Sequence, residues 1–299
     1  MKKVSNKIII IIISIIVVLA IVAGIVIATV WKNNNNEEVS KTDNEQNNLE
    51  VNLDGEKVDI IDINSKTRPY AVAVNNTNVA VKVQEGLNKA YLVYEIPTEG
   101  NTSRVLALYK DIQDDLVVGT VRSARHNFID FALESDAILC CFGWSHYAED
   151  DMKAGKIDFL QGLYGGPYFR KNPENLASEH TAYTSIDKLN DAVKTKGFKT
   201  TSNDTILLNY DVADVDLSSA TNVKTANKVT IPYGSSYYKS SFKYDEETKM
   251  YTRYQAGKKS VDYKTKEAIT TKNIIVQKLN YSMCSDNYYW DLDTIGSGE

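Results

Sequence analysis

Five charged residues with one serine among them are the part of this chain best suited to chemistry: Glu95, Glu99, Arg104, Arg122, Ser123 and Arg125. They fall at the ends of apolar runs, in a protein where arginine is scarce. Arg122 and Arg125 stand three apart, after a strand-like stretch and before a helical one. Two guanidinium forks so placed can grip a carboxylate or phosphate in bidentate fashion, aided by the amides that open the following helix. The same residues also suit an internal Arg–Glu network that fixes strand ends, which says nothing about ligands. His180 joins this set as a candidate ligand-binding residue. The other histidines, His126 and His146, form no helical i, i+4 pair with it or with each other, and no His-Glu-x-x-His run occurs, so no metal site is expected.

Two weaker patterns accompany the charged set. Gly143-Trp-Ser-His-Tyr147 lies between a strand and a helix, the setting of a nucleophile elbow, but Tyr147 stands where that motif wants glycine. Ser145 reads better as a helix N-cap. Tyr164-Gly-Gly-Pro-Tyr-Phe169 is an aromatic turn that puts Tyr164 and Tyr168 at the rim of a cleft or simply reverses the chain. Phosphate-cradling glycine loops and dinucleotide fingerprints are missing, and no cofactor is expected. The three cysteines, Cys140, Cys141 and Cys284, make no disulfide framework. The adjacent pair sits in a buried-strand pattern as small hydrophobes.

The elements around these residues follow from periodicity. Tyr70–Val74, Tyr91–Ile96 (ending at Pro97) and Ala137–Phe142 read as strands. Arg104–Tyr109 and Leu116–Val121 read as a strand pair joined by a polar turn. Helices are expected over Asn127–Ser135, over Ser145–Ala154 and over Ser185–Lys196, the last capped by Thr184 or Ser185 and stopped by Gly197. After Asn203 helical spacing disappears. Val229–Ile231, Tyr237–Tyr244, Met250–Gln255 and Ile274–Leu279 alternate, with a hairpin turn at Asp245–Lys249. The chain stops at Gly296-Ser-Gly-Glu299 after strand-like Tyr288–Leu292, and is expected to be incomplete there.

The N-terminus supplies an address. Lys2, Lys3 and Lys7 precede an uncharged run of 23 residues, Ile8–Val30, closed by Trp31. As a helix it would span about 34 Å, enough for a bilayer core. It is longer than a signal-peptide core and lacks a small-x-small site. No cysteine precedes Cys140, which excludes lipidation at a processed N-terminus. The lysines predict a cytoplasmic N-terminus and an extracytoplasmic remainder. Those three lysines are the only charges in residues 1–31, so residues 32–299 carry −8 of the overall −5. An acidic ectodomain is a poor nucleic-acid binder, and no nucleic-acid partner is expected. The organisation expected is a cytoplasmic tail over 1–7, a transmembrane helix over 8–30, a disordered Asn-rich stalk over 31–57, an α+β layered domain over 58–203 and a smaller β-rich domain over 204–299.

Several of these residues carry a resemblance. Arg68-Pro-Tyr-Ala-Val, Gly86-Leu87, Val93-Tyr-Glu95, Glu99-Gly100, Arg104, Gly119-Thr-Val-Arg-Ser-Ala-Arg125 and Tyr183-Thr-Ser185 resemble the YerB-like family. So do Tyr244-Asp-Glu-Glu-Thr, Arg253-Tyr, Lys272-Asn-Ile-Ile-Val-Gln277 and Gly296-Ser-Gly298. That family comprises extracytoplasmic, often lipid-anchored proteins of Gram-positive bacteria. The resemblance implies an α+β fold with a β-rich C-terminal domain and no settled activity. The chain departs from the family in its transmembrane anchor and in ending where the family usually continues. The function expected is a membrane-anchored binding or scaffolding module for an anionic cell-envelope component or a partner protein, with an envelope polymer as one such partner. The alternative is a wall-directed hydrolase using Glu95 or Glu99 as acid/base, or Ser145 with a histidine.

Overall fold

The structure is a computed structural model that describes residues 48–53, 56–62, 64–113, 115–204, 208, 217, 219–231, 233 and 239–294. The expected span Ile8–Val30 lies outside them, and among the described residues no helix is long and apolar enough to cross a membrane. From Asn48 onward the chain forms one compact unit.

In chain order the elements are β1 (Asn48–Leu53), β2 (Glu56–Asp62), β3 (Tyr70–Val74), β4 (Leu92–Thr98), β5 (Thr102–Tyr109), β6 (Val117–Gly119) and α1 (His126–Leu133). They continue with β7 (Ile138–Cys141), α2 (His146–Lys153), β8 (Phe159–Gln161), β9 (Tyr168–Arg170), β10 (Ala182–Ser185) and α3 (Ile186–Lys196). Then come β11 (Lys228–Ile231), β12 (Ser240–Asp245), β13 (Met250–Gln255), β14 (Lys258–Lys259), β15 (Thr270–Thr271), β16 (Tyr281–Met283) and β17 (Trp290–Leu292). Mixed sheets with few helices make this a β-rich α+β arrangement. β1 and the first two residues of β2 fall within the last ten residues of the segment expected as stalk.

A central sheet of order β4-β5-β3-β7-β8 organises the first half, antiparallel on the β4 side and parallel from β3 to β8. Its inner strands β3, β5 and β7 are buried on both faces, so they read as largely continuous apolar runs. The two-residue period still sorts their side chains. Ala71, Ala73, Leu106, Leu108, Leu139 and Cys141 pack with Phe128, Ala132 and Met152 of α1 and α2. Val72, Val74, Val105, Ala107, Ile138 and Cys140 pack with Val118 of β6 and with Ile186, Leu189 and Val193 of α3. Truncating one of these fully buried side chains costs about 2–5 kcal/mol.

The helices start and stop for local reasons. Ser145 Oγ accepts the Ala148 amide at 3.3 Å and caps α2. Gly197, at φ 68°, ends α3 in the left-handed region. The cap of α3 differs from expectation. Ser185 occupies the N-cap position without a side-chain bond, and Asp115 Oδ1 accepts the Asp187 amide at 3.3 Å instead.

Strand pairing departs further. β5 and β6 are not partners: β5 lies between β4 and β3, and β6 pairs with β10 in a three-stranded sheet completed by β9. β4 runs through Pro97, opposite Ser103, because it is an edge strand whose proline nitrogen owes no ladder bond. Residues 274–279, expected as a strand, contain none.

The β-rich half is a sheet of order β11-β12-β13-β14, with β15 also on β13. The hairpin turn between β12 and β13 is held by Asp245 Oδ1, which accepts from the Glu247 and Thr248 amides. The β16–β17 ribbon returns to the first half. Leu292 joins the core beside Phe128, and Asn127 clips the strand by donating to Trp290 O at 2.8 Å and accepting from Leu292 N at 3.1 Å.

Candidate functional site

Residues Val121–Arg125 form a strap wedged between the C-terminal ends of β3 and β7. Arg122 N donates to Ala73 O at 2.8 Å, Phe142 N to Arg122 O at 2.9 Å, Ala124 N to Gly143 O at 2.9 Å and Ser145 N to Ala124 O at 3.0 Å. The wedge requires Gly143, at φ 92°, because a Cβ there would sit 2.9 Å from Ser123 Oγ. Glycine in the Gly-Trp-Ser-His motif therefore serves a close approach, not a nucleophile elbow. Ser145 is buried and spent on its cap.

Three guanidinium groups gather on this strap. Glu99 receives a bidentate grip from Arg125, whose Nε lies 2.8 Å from Oε2 and whose Nη2 contacts Oε1. Arg104 Nη2 lies 3.7 Å from the same Oε1, and its Nη1 donates to Ser123 O. Arg125 Nη1 donates to Ala124 O at 2.8 Å. Arg104 and Arg125 are each only 8 % exposed. Burial acts to raise the Glu99 pKa, but the Arg125 hydrogen bond and the charges of Arg125 and Arg104 outweigh it and hold the carboxyl below the ordinary range. Burial, and after it the Arg125 charge, brings the Arg104 guanidinium down to about 9 despite Glu99, so it stays charged at pH 7. One buried carboxylate thus faces two buried arginines.

Arg122 is the accessible member. Its side chain is 29 % exposed and lies 3.5 Å from Glu179, whose side chain is 53 % exposed. Glu179 also lies 3.4 Å from His180 Nε2. Asn75 Oδ1 accepts the Thr77 amide at 3.2 Å, which turns its Nδ2 toward His180 Nδ1 at 2.9 Å. Nδ1 is then the acceptor and the ring proton sits on Nε2, facing Glu179. Burial lowers the His180 pKa, Glu179 opposes this and Arg122 adds to it. One aromatic ring borders the group: Arg125 lies 5.2 Å from the centre of the Tyr289 ring. Trp144, whose backbone bridges Ala124 of the strap, holds its own ring 6.1 Å from that of Tyr164, which is 83 % exposed. Tyr168 is no part of this border. Its hydroxyl donates to Leu160 O and its ring packs edge-on against Phe142.

The model of the protein of unknown function DUF3048, N-terminal domain, matches residues 57–199, and that of the DUF3048 C-terminal domain matches residues 229–299. The chain belongs to the DUF3048 family. It is 29% identical over 238 residues to "Putative lipoprotein YerB" of Bacillus subtilis (strain 168), covering 79% of this chain and 69% of that protein. The crystal structure of the YerB protein from Bacillus subtilis superposes with a TM-score of 0.62 at 25% identity, covering 78% of each chain.

Within the DUF3048 frame the predicted site residues divide. Glu99, Arg104, Arg122, Ser123, Arg125 and His180 come together in the N-terminal region. Glu95 does not join them. Its Oε1 accepts from Asn76 at 3.1 Å, from Ser103 at 2.7 Å and from Ser240 at 2.5 Å, and its Oε2 lies 3.4 Å from Arg253. Ser240 and Arg253 belong to the C-terminal DUF3048 region, so Glu95 is a stitch between the two family regions. Sequence reasoning missed Glu179 and Asn75, the partners of Arg122 and His180. It also missed Tyr289, which arrives from 164 positions beyond Arg125 with no local signal.

The remaining histidines each have their own carboxylate. His126 Nε2 lies 3.6 Å from Asp291, and His146 Nε2 lies 3.6 Å from Asp286. Among the described residues no group of three or more His, Cys, Asp or Glu side chains could hold a metal ion.

Proposed function

We propose that this DUF3048 member is an envelope-facing binding module that captures an anionic polymer at the Arg104–Arg122–Arg125 cluster, tethered to the bilayer by Ile8–Val30. The observation that carries this reading is the buried excess of positive charge. Arg104 and Arg125 share Glu99, and Arg122 has only a half-exposed carboxylate, which an incoming phosphate or carboxylate can displace. The two buried cations supply the field, and Arg122 supplies the contact. Tyr289 borders the cluster with an aromatic ring suited to the apolar face of a polymer repeat. The envelope address draws on the uncharged N-terminal run and on the lipoprotein name of the relative.

Binding is favoured over hydrolysis by the state of the two acids. Glu99 has a proton affinity below the usual range, the reverse of what a general acid needs, and Glu95 is enclosed by four side-chain donors.

The test is equilibrium capture by the full chain in detergent micelles, comparing a phosphate-bearing wall polymer with a neutral glycan of equal length. Preferential capture of the anionic polymer that weakens with salt, and about a tenfold loss in Arg122→Ala partly restored in Arg122→Lys, is the expected result. Equal capture of both polymers, or an unaffected Arg122→Ala, overturns it.

A further inference from the structure

One carboxylate oxygen beside the arginine cluster is shared by two donors. Glu179 Oε1 lies 3.5 Å from Arg122 Nη2 and 3.4 Å from His180 Nε2. Both separations exceed the roughly 2.7–2.9 Å of a well-formed charge-assisted hydrogen bond, so the carboxylate is held loosely. It is carried on the single turn Ser178–His180 and is half exposed, while the side chains of Arg122 and His180 are more enclosed. An oxygen between an arginine fork and an imidazole N–H is also what a bound phosphate or sulfate presents. Glu179 therefore stands where the oxygen of an anionic ligand would stand. The other contacts of His180 are settled. Asn75, at the end of β3, is oriented by the Thr77 amide and gives its Nδ2 to His180 Nδ1, so the neutral ring points its one proton at Glu179. Arg170 of β9 donates to Ser178 O and to Thr181 Oγ1, on either side of the histidine. Glu99 is engaged by Arg104 and Arg125. The charges that act on the ring are thus Glu179 from its own turn and Arg122 from the strap. Burial outweighs the carboxylate, and the ring is mostly neutral at pH 7.

We infer that Glu179 is a built-in competitor for the anion site and that His180 is its acid-operated release, so that anion capture at Arg122 strengthens as pH falls. This rests on the anion-site reading and adds its regulation. Charge counting carries it. At neutral pH Arg122 and Glu179 balance one another, and the uncharged ring adds only a dipole. In acid a proton from solvent arrives on Nδ1, in place of the Asn75 contact, and the ring becomes an imidazolium with Nε2–H still facing the shared oxygen. Two cations then face one carboxylate. One positive charge is unmatched whichever of the two Glu179 turns to, and an anion takes it. The neutral ring favoured by burial sets the device to act below the ordinary histidine range.

The test titrates the full chain, in micelles of an uncharged detergent, with sulfate, whose charge is constant over the range used. Calorimetry is expected to show about fivefold tighter binding at about pH 5.5 than at about pH 7.5. Glu179→Gln, which keeps the shape of the side chain, is expected to bind at neutral pH as tightly as the parent binds in acid. His180→Gln is expected to lose the pH dependence, and Arg122→Ala to lose sulfate at both pH values. A further readout needs no variant: by linkage, saturating sulfate raises the His180 titration midpoint, followed by NMR, by about 0.7 pH unit, the logarithm of that fivefold ratio. Sulfate binding that needs Arg122 yet is equal at both pH values, or that keeps its pH dependence in His180→Gln, overturns the inference and leaves the anion site standing. Glu179→Gln binding no tighter than the parent at neutral pH does the same. No sulfate binding by the parent at either pH overturns the anion site and the inference together.

Discussion

Replacing Glu99 by glutamine removes the one carboxylate that Arg104 and Arg125 share while keeping its shape. Both guanidinium groups then remain beside one another, each about one-tenth exposed at the side chain, with only neutral acceptors, the glutamine amide oxygen and the Ser123 and Ala124 carbonyls. Breaking a buried pair by neutralising one partner costs about 3–5 kcal/mol. The Glu99 side chain retains 13 % of its surface, which argues for the lower end, about 3 kcal/mol. For a unit of this size that lowers the melting temperature by about 6–12 °C. The same substitution should make the site a better anion trap. Inorganic phosphate, binding the folded state alone, should raise the melting temperature of Glu99→Gln more than that of the parent, in proportion to RT ln(1 + [L]/Kd). Calorimetric scans of the full chain with and without phosphate read both effects. A loss below about 1 kcal/mol would mean the pair is solvated and the buried-charge argument wrong. A large loss with no phosphate response would leave the network purely architectural, and the proposed anion site would fall with it.

Three further outcomes follow from the same geometry. Gly143→Ala should cost about 1–3 kcal/mol in urea denaturation, since its Cβ meets Ser123 Oγ at a positive φ, while Gly155→Ala, with open space around it, should cost only the backbone strain. Ser145→Ala should lower stability by about 1 kcal/mol through loss of the α2 cap and leave polymer capture unchanged, whereas a nucleophile would show the reverse. His180 should titrate below the ordinary histidine range in NMR. Its neutral form is favoured by the fold, so its contribution is complete above the unfolded pKa and is lost as pH falls through the folded one. A titration at or above the ordinary value would mean Glu179 dominates over burial.

Much of this fold was written in short stretches of chain. The helical spacing of Phe128, Phe131 and Ala132, the serine before α2, the glycine after α3 and the aspartate turn between β12 and β13 are each decided within a few residues, where propensity and capping act. The burial of Cys140 and Cys141 is of the same kind. Partnership was not legible. β5 and β6 follow one another with a polar link, yet they pair elsewhere: β5 forms a hairpin with the preceding β4 and pairs on its other side with β3, whereas β6 joins β10, far along the chain. Glu95 and Glu99 sit four apart with the same chemistry. One stitches the C-terminal sheet and the other neutralises arginines, and only the position of Ser240, Arg253 and Arg125 in space separates them. Tyr289 reaches Arg125 on a ribbon anchored by Asn127. A hydrogen-bond or ion-pair partner is selected by which surfaces are left to bury once the core has closed, and that choice involves the whole chain at once. Charge, turn and cap are properties of single residues and their near neighbours; which of those residues meet is a property of the packed chain.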